Sequence, residues 1–166
     1  RGEFVDEFVI SVLVSARRQT TATYLGNRSG IIPVPVPAVG PAKTQLATLA
    51  ATMRTAKQRP PGASAVIIGP ISRILARLGA YRYFIDHQHL VHTFVTNIRG
   101  PEHALVVAGW PVTGIIPLGA ISGNVTVAFA VLSYAGTLTI TTIADPETCP
   151  DLTRLRDELS SALEAL

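Results

Sequence analysis

What this 166-residue chain has little of narrows its possibilities first. It holds one cysteine, Cys149, so no internal disulfide can staple it, and that usage suits a reducing cytoplasm. Charged residues make up only 15% of it, and none falls between Glu102 and Asp145. A membrane span could leave such a gap, but Gly109, Pro111, Gly114, Pro117, Gly119 and Gly123 interrupt it. A span needs about 20 continuous helical residues, and the Val, Ile and Thr content of the gap favours buried strands. No transmembrane helix or signal peptide is read; peripheral contact with a lipid surface stays open. Cations are as dispersed as they are scarce. The formal net charge is +3, with no basic run and no aromatic interleaving, so no nucleic-acid partner is expected.

What is present is apolar. Hydrophobic residues make up 48% of the chain, a rich share for a free-standing domain of this size. The surplus predicts surface covered by another domain, another chain or a lipid-like ligand. The chain opens on Arg-Gly-Glu-Phe without Met, and it reads as one domain, residues 1–166, of a longer protein.

The order of elements follows from periodicity and breakers. Residues 8–18 are apolar and β-branched, a buried strand. Gly26-Asn27 and Gly30 mark turns, and the alternating prolines from Ile31 make an extended piece unsuited to a central strand. Leu46, Leu49, Ala50 and Met53 fall at helical spacing, which predicts a helix over 41–59. A second helix is expected over 64–79, with 81–89 ambiguous between helix and loop. Strands follow at 91–97, 103–109, 112–118, 124–133 and 137–144, the last two joined by Ser133-Tyr134-Ala135-Gly136 as a hairpin. Asp151 is placed to cap a final helix striped by Leu152, Leu155, Leu159 and Leu163. The fold class expected is α/β or α+β in two layers: a mixed, largely antiparallel sheet with helices packed on it.

Few residues suggest chemistry. His87, His89 and His92 do not share one face as a strand or as a helix, and no cysteine is near, so they read as hydrogen-bonded loop and strand-end residues. No metal is expected. Ser133 lacks the glycine two residues earlier that a nucleophile elbow needs. No phosphate-binding glycine loop and no paired carboxylates are found. Cys149 reads as an inert thiol, and the sequons at Asn27 and Asn124 as coincidences. The stretch Phe94 to Gly109 is the most informative. A β-branched run stops on Asn97, turns through Arg99-Gly100-Pro101 and resumes, either as an ordinary turn or as a loop shaped to hold a ligand.

Four motifs in order resemble one family. They are Val12-Leu13-Val14-Ser15-Ala16-Arg17, the Gly26-Asn27 segment running into Pro37, Thr96-Asn97-Ile98-Arg99-Gly100-Pro101, and residues 131–151 from Ser133-Tyr134-Ala135-Gly136 to Pro150-Asp151. Together they resemble the C-terminal half of the wax ester synthase/diacylglycerol acyltransferase family. Leu13 and Arg99 stand where that family usually has Pro, and residues 122–127 match it loosely. The resemblance implies one half of a chloramphenicol acetyltransferase-like fold, with a tunnel between two halves. It implies transfer of an acyl group from acyl-CoA, a substrate rather than a cofactor, to diacylglycerol or a long-chain alcohol. The family's base motif, H-H-x-x-x-D-G, is absent here, so no catalytic residue is expected and the chain alone should be inactive. The N-terminal half of the same protein is the implied partner, and the implied location is cytoplasmic, peripheral to membrane or lipid droplet. Thr96, Asn97, Arg99, Gly100, Gly26 and Asn27 are the expected tunnel-lining residues, with Arg99 suited to a CoA phosphate. Two rivals stay open: a lipid- or partner-binding module, and a condensation-domain-like relative.

Overall fold

The computed structural model describes residues 6–15, 29–58 and 72–165. Within them the chain forms a five-stranded mixed sheet in the order β2-β1-β3-β6-β7, with helices and a small separate two-stranded ribbon. Strand β1 (Glu7–Ser15) pairs antiparallel with β2 (Ser29–Pro37) from Glu7↔Pro37 to Ser15↔Ser29. On its other side β1 runs parallel to β3 (Thr93–Arg99), and β3 runs parallel to β6 (Val127–Tyr134). Strand β7 (Thr137–Ala144) closes the far edge as the antiparallel hairpin partner of β6. Antiparallel ladders therefore occupy both outer positions and parallel ones the centre.

The proline-spaced segment is a strand after all, and its position shows how it can be one. Pro33, Pro35 and Pro37 share one phase, and successive backbone groups of a strand point to opposite sides. All three missing N–H donors therefore fall on one side, which is tolerable only at an edge. β2 is the edge, with β1 as its one partner.

Helix α1 (Ala42–Gln58) follows β2, as its leucine spacing predicts. Of the expected second helix, α2, residues 72–77 are described; it stops at Gly79, whose φ is +69°. The ambiguous stretch resolves into the short helix α3 (Tyr81–Asp86). Helix α4 (Leu152–Glu164) ends the chain with Leu152, Leu155 and Leu159 half-buried. Asp151 stands at its N-cap but its carboxylate does not cap the helix. Asp145 organises the approach instead: its carboxylate accepts from Glu147 N at 3.1 Å and Thr148 Oγ1 at 3.2 Å.

The core sits on β6. Ala128, Ala130, Leu132 and Tyr134 are buried on one face while the alternate residues are half-buried. Ser11 on β1 continues that buried face, Val12 and Val34 are buried on the opposite face of β1 and β2, and Val125 enters just before β6. The two expected strands at 103–109 and 112–118 shrink to β4 (Val106–Val107) and β5 (Trp110–Pro111), which pair with each other. Composition suits them to strands, but among the described residues no strand of the main sheet pairs with them.

Candidate functional site

The expected site residues lie at the carboxyl end of the central strand. β3 does not stop at Asn97; it continues through Arg99, with Asn97↔Val131 and Arg99↔Ser133 in register with β6. Thr96, Asn97 and Arg99 therefore belong to the sheet and not to a turn. Alternation sends them to different faces: Thr96 is half-buried on the side of Ala130, while Asn97 and Arg99 are exposed on the other. The Arg99 guanidinium already meets the Glu102 carboxylate at 2.5 Å, both side chains well exposed. Such an exposed pair contributes only about 0.2–1 kcal/mol. Gly26 and Asn27 lie outside the described residues.

Gly100 has a backbone reason for being glycine. Its N–H donates to the Ser133 carbonyl at 2.8 Å, and a Cβ at this position would stand 2.5 Å from that same oxygen. The next link is Ala135 N donating to the Pro101 carbonyl at 3.0 Å. The Arg-Gly-Pro stretch is thus fastened beside the β6–β7 hairpin, and from there the chain leaves the sheet. Ser133, expected in a turn, lies in β6 with its carbonyl holding Gly100.

The histidines are used locally. His92 Nδ1 accepts from Val9 N at 3.0 Å while His92 N donates to the Val9 carbonyl at 2.9 Å, tying the approach to β3 against β1. Accepting at Nδ1 leaves the ring proton on Nε2. His87 stacks on Tyr83 with centroids 4.2 Å apart, and its Nδ1 lies 2.9 Å from the Tyr83 carbonyl. No metal-competent cluster occurs among the described residues. Asn124 is committed too: its Nδ2 donates to the Gln88 carbonyl, and its Oδ1 accepts from Gln88 Nε2.

Two features escaped the sequence reading. One is this Gln88–Asn124 clamp, whose partners are 36 residues apart. The other is Tyr134. It is 4% exposed, and its hydroxyl accepts from Leu105 N and donates to the Val112 carbonyl, both at 2.8 Å. A buried tyrosine normally finds a partner for its hydroxyl; that general rule was the one available signal.

Apolar side chains remain uncovered around this framework. Trp110 is 78% exposed, Leu118 80% and Ile116 73%, in a stretch without one charged residue. No described helix is long and apolar enough to cross a membrane.

Comparison with known proteins agrees with this architecture. Residues 25–166 match the family model for the WS/DGAT C-terminal domain. Wax ester synthase/diacylglycerol acyltransferase 8 of Arabidopsis thaliana is 28% identical over 94 residues, covering 57% of this chain and 19% of that protein. The solved wax ester synthase/diacylglycerol acyltransferase from Marinobacter aquaeolei VT8 superposes with a TM-score of 0.65 at 20% identity, over 96% of this chain and 35% of that one. The starter condensation domain of the rhizomide synthetase RzmA superposes with a TM-score of 0.55 at 18% identity, over 98% of this chain and 36% of its own. The chain spans about a fifth of the curated relative and about a third of each solved structure.

Proposed function

Because the chain belongs to the WS/DGAT C-terminal domain family, we propose that it is the C-terminal part of an acyl-CoA-dependent O-acyltransferase. The whole protein esterifies diacylglycerol or a long-chain alcohol. This part forms one wall of the substrate tunnel, and the preceding part of the same polypeptide supplies the base. The reaction needs a group that takes the proton from the acceptor hydroxyl as its oxygen attacks the thioester carbonyl. The carbon–sulfur bond then breaks, and the CoA sulfur leaves with a proton.

One observation carries the division of labour. The family model that matches is that of the C-terminal domain, over residues 25–166, and the sequence holds no H-H-x-x-x-D-G motif. A general base must come within about 3 Å of the proton it removes, and on this reading the preceding part of the polypeptide brings it there. Apolar surface without charge suits a wall against which greasy substrates and another half of the protein pack. The whole protein works at the cytoplasmic side, in peripheral contact with a membrane or lipid droplet.

The test is an acylation assay with full-length protein, long-chain acyl-CoA, and diacylglycerol or hexadecanol. Ester should form with the full-length protein and not with residues 1–166 alone; robust turnover by the fragment would overturn the reading. Within the full-length enzyme, Asn97→Ala should lower turnover about tenfold if the exposed amide hydrogen-bonds a substrate carbonyl or hydroxyl. Unchanged turnover in that variant, at unchanged stability, removes Asn97 from the tunnel wall.

A further inference from the structure

We propose that β7 is a pairing edge for a second copy of this chain. Two main sheets, of five strands each, then join β7 against β7 into one continuous sheet. The proposal concerns the side of the sheet remote from β2 and does not depend on which reaction the whole protein performs.

The two outer strands of the sheet are guarded differently. On β2, Ala38 N donates inward to the Asp6 carbonyl at 3.0 Å, so the nitrogens of Pro33, Pro35 and Pro37, in the opposite phase, face outward. Without N–H groups that side cannot complete a ladder. β7 has eight residues with no proline and no charge, and it pairs with β6 without a bulge from Val127↔Ala144 to Tyr134↔Thr137. Proline, lysine, a bulge and shortness are the usual means of blunting an edge, and β7 uses none. Its outward groups can be named. In the two-residue turn on Ala135-Gly136 the Thr137 N–H is turned towards the Tyr134 carbonyl. Alternation then sends the N–H and C=O groups of Leu138, Ile140, Thr142 and Ala144 away from β6. The same phase carries past the strand, where Asp145 N donates inward to the Thr126 carbonyl at 2.9 Å. Among the described residues those four meet no hydrogen-bond partner on their outer side.

A second copy fits this edge because the edge is its own complement. A twofold axis perpendicular to the sheet at Thr141 lays the strand antiparallel on itself and keeps each face of the sheet on its own side. Leu138 then exchanges two hydrogen bonds with Ala144 of the second copy, and Ile140 two with its Thr142, so every outward group of both strands is used. Thr141 faces its own copy and Thr139 faces Ile143, cross-strand pairs of the kind that stabilise a ladder. A charge near the middle of the strand would meet its own like across the axis, and residues 137–144 have none. An edge that faces only water is served by Lys or Glu. β7 instead carries Leu138, 57% exposed, with Ile140 on the same face.

Sedimentation and cysteine trapping on the full-length protein test this. The wild type should sediment as a dimer at about 10 μM, as an interface of micromolar affinity requires. Ile140→Pro removes an outward donor without removing a β6–β7 hydrogen bond, and Thr142→Lys places like charges close to the axis. Each should weaken the dimer at least about tenfold. On a Cys149→Ser background, Thr141→Cys should form an intermolecular disulfide under mild oxidation, because a non-hydrogen-bonded pair brings Cα atoms to about 4.5 Å. Leu138→Cys, away from the axis, should not. The trapping decides the matter should either edge variant fail to fold. A protein that stays monomeric at about 100 μM overturns the proposal. So does a dimer that Thr141→Cys does not trap. Amide protection at Leu138 and Ile140 that is the same at every protein concentration also overturns it, since that points to a strand of the same polypeptide.

Discussion

Two hairpins in this molecule are built alike and treated oppositely. β4–β5 turns on Ala108-Gly109 and β6–β7 on Ala135-Gly136, each pair in the left-handed region, with φ of 51° and 85°, and 46° and 81°. Both have β-branched, charge-free arms, and two-residue turns with φ > 0 at both positions match strand twist. Yet β6 lies in the core with Leu132 8% exposed, while Leu105, at the matching distance from its turn, is 42% exposed. Turn chemistry and apolar content make a hairpin. What the hairpin packs on is decided by its neighbours in the sheet, and β4–β5 has none within the described residues.

The contrast can be broken at several places. Leu132→Ala removes a buried side chain and should cost about 3 kcal/mol. Val107→Ala on β4 should cost less than about 0.5 kcal/mol in this unit, and urea unfolding of both variants measures the gap. Comparable losses would mean β4 is part of the core after all. A smaller effect is expected where the chain leaves the sheet. Gly100→Ala pushes a methyl group onto the Ser133 carbonyl and should cost about 2 kcal/mol, with faster amide exchange at Gly100 and Ala135. A normal midpoint would show that the close approach can relax. His92→Ala strands the Val9 N–H and should cost about 1 kcal/mol; His92→Asn, which keeps an acceptor, should recover part of it. Least of all, Ala135→Asn should gain about 0.5 kcal/mol by relieving a non-glycine residue at positive φ. The same change at Ala108 should leave the unfolding midpoint where it is, because that turn carries no core.

These particulars show how far the sequence could be read. The β7 boundaries, the β6–β7 turn, α1 and α4 were legible because each depends on local spacing or on residues adjacent in sequence. The family was legible too, through an ordered set of short motifs spanning the chain. The strand that carries the candidate residues was legible, its end less so. Arg99 to Pro101 looked like a turn after a strand ending at Asn97, because Asn, Gly and Pro interrupt an apolar run, whereas Ile98 and Arg99 continue that strand, held by β6. Gly100 was expected to let a ligand approach, and the close approach the structure shows is instead to the Ser133 carbonyl. The Asp151 cap failed because a suitable residue type at the right position says nothing of where its carboxylate points.

Periodicity, breakers and missing charge marked in advance α1, α4 and the strands of the main sheet, and they announced exposed apolar surface, because these depend on near neighbours and on composition. Only the folded chain decided that β2 with its three prolines sits at an edge, that β3 lies at the centre of the sheet, and that Tyr134 ties the β4–β5 ribbon to β6. Those outcomes depend on which distant backbone donors and acceptors meet, and no local pattern encodes that pairing.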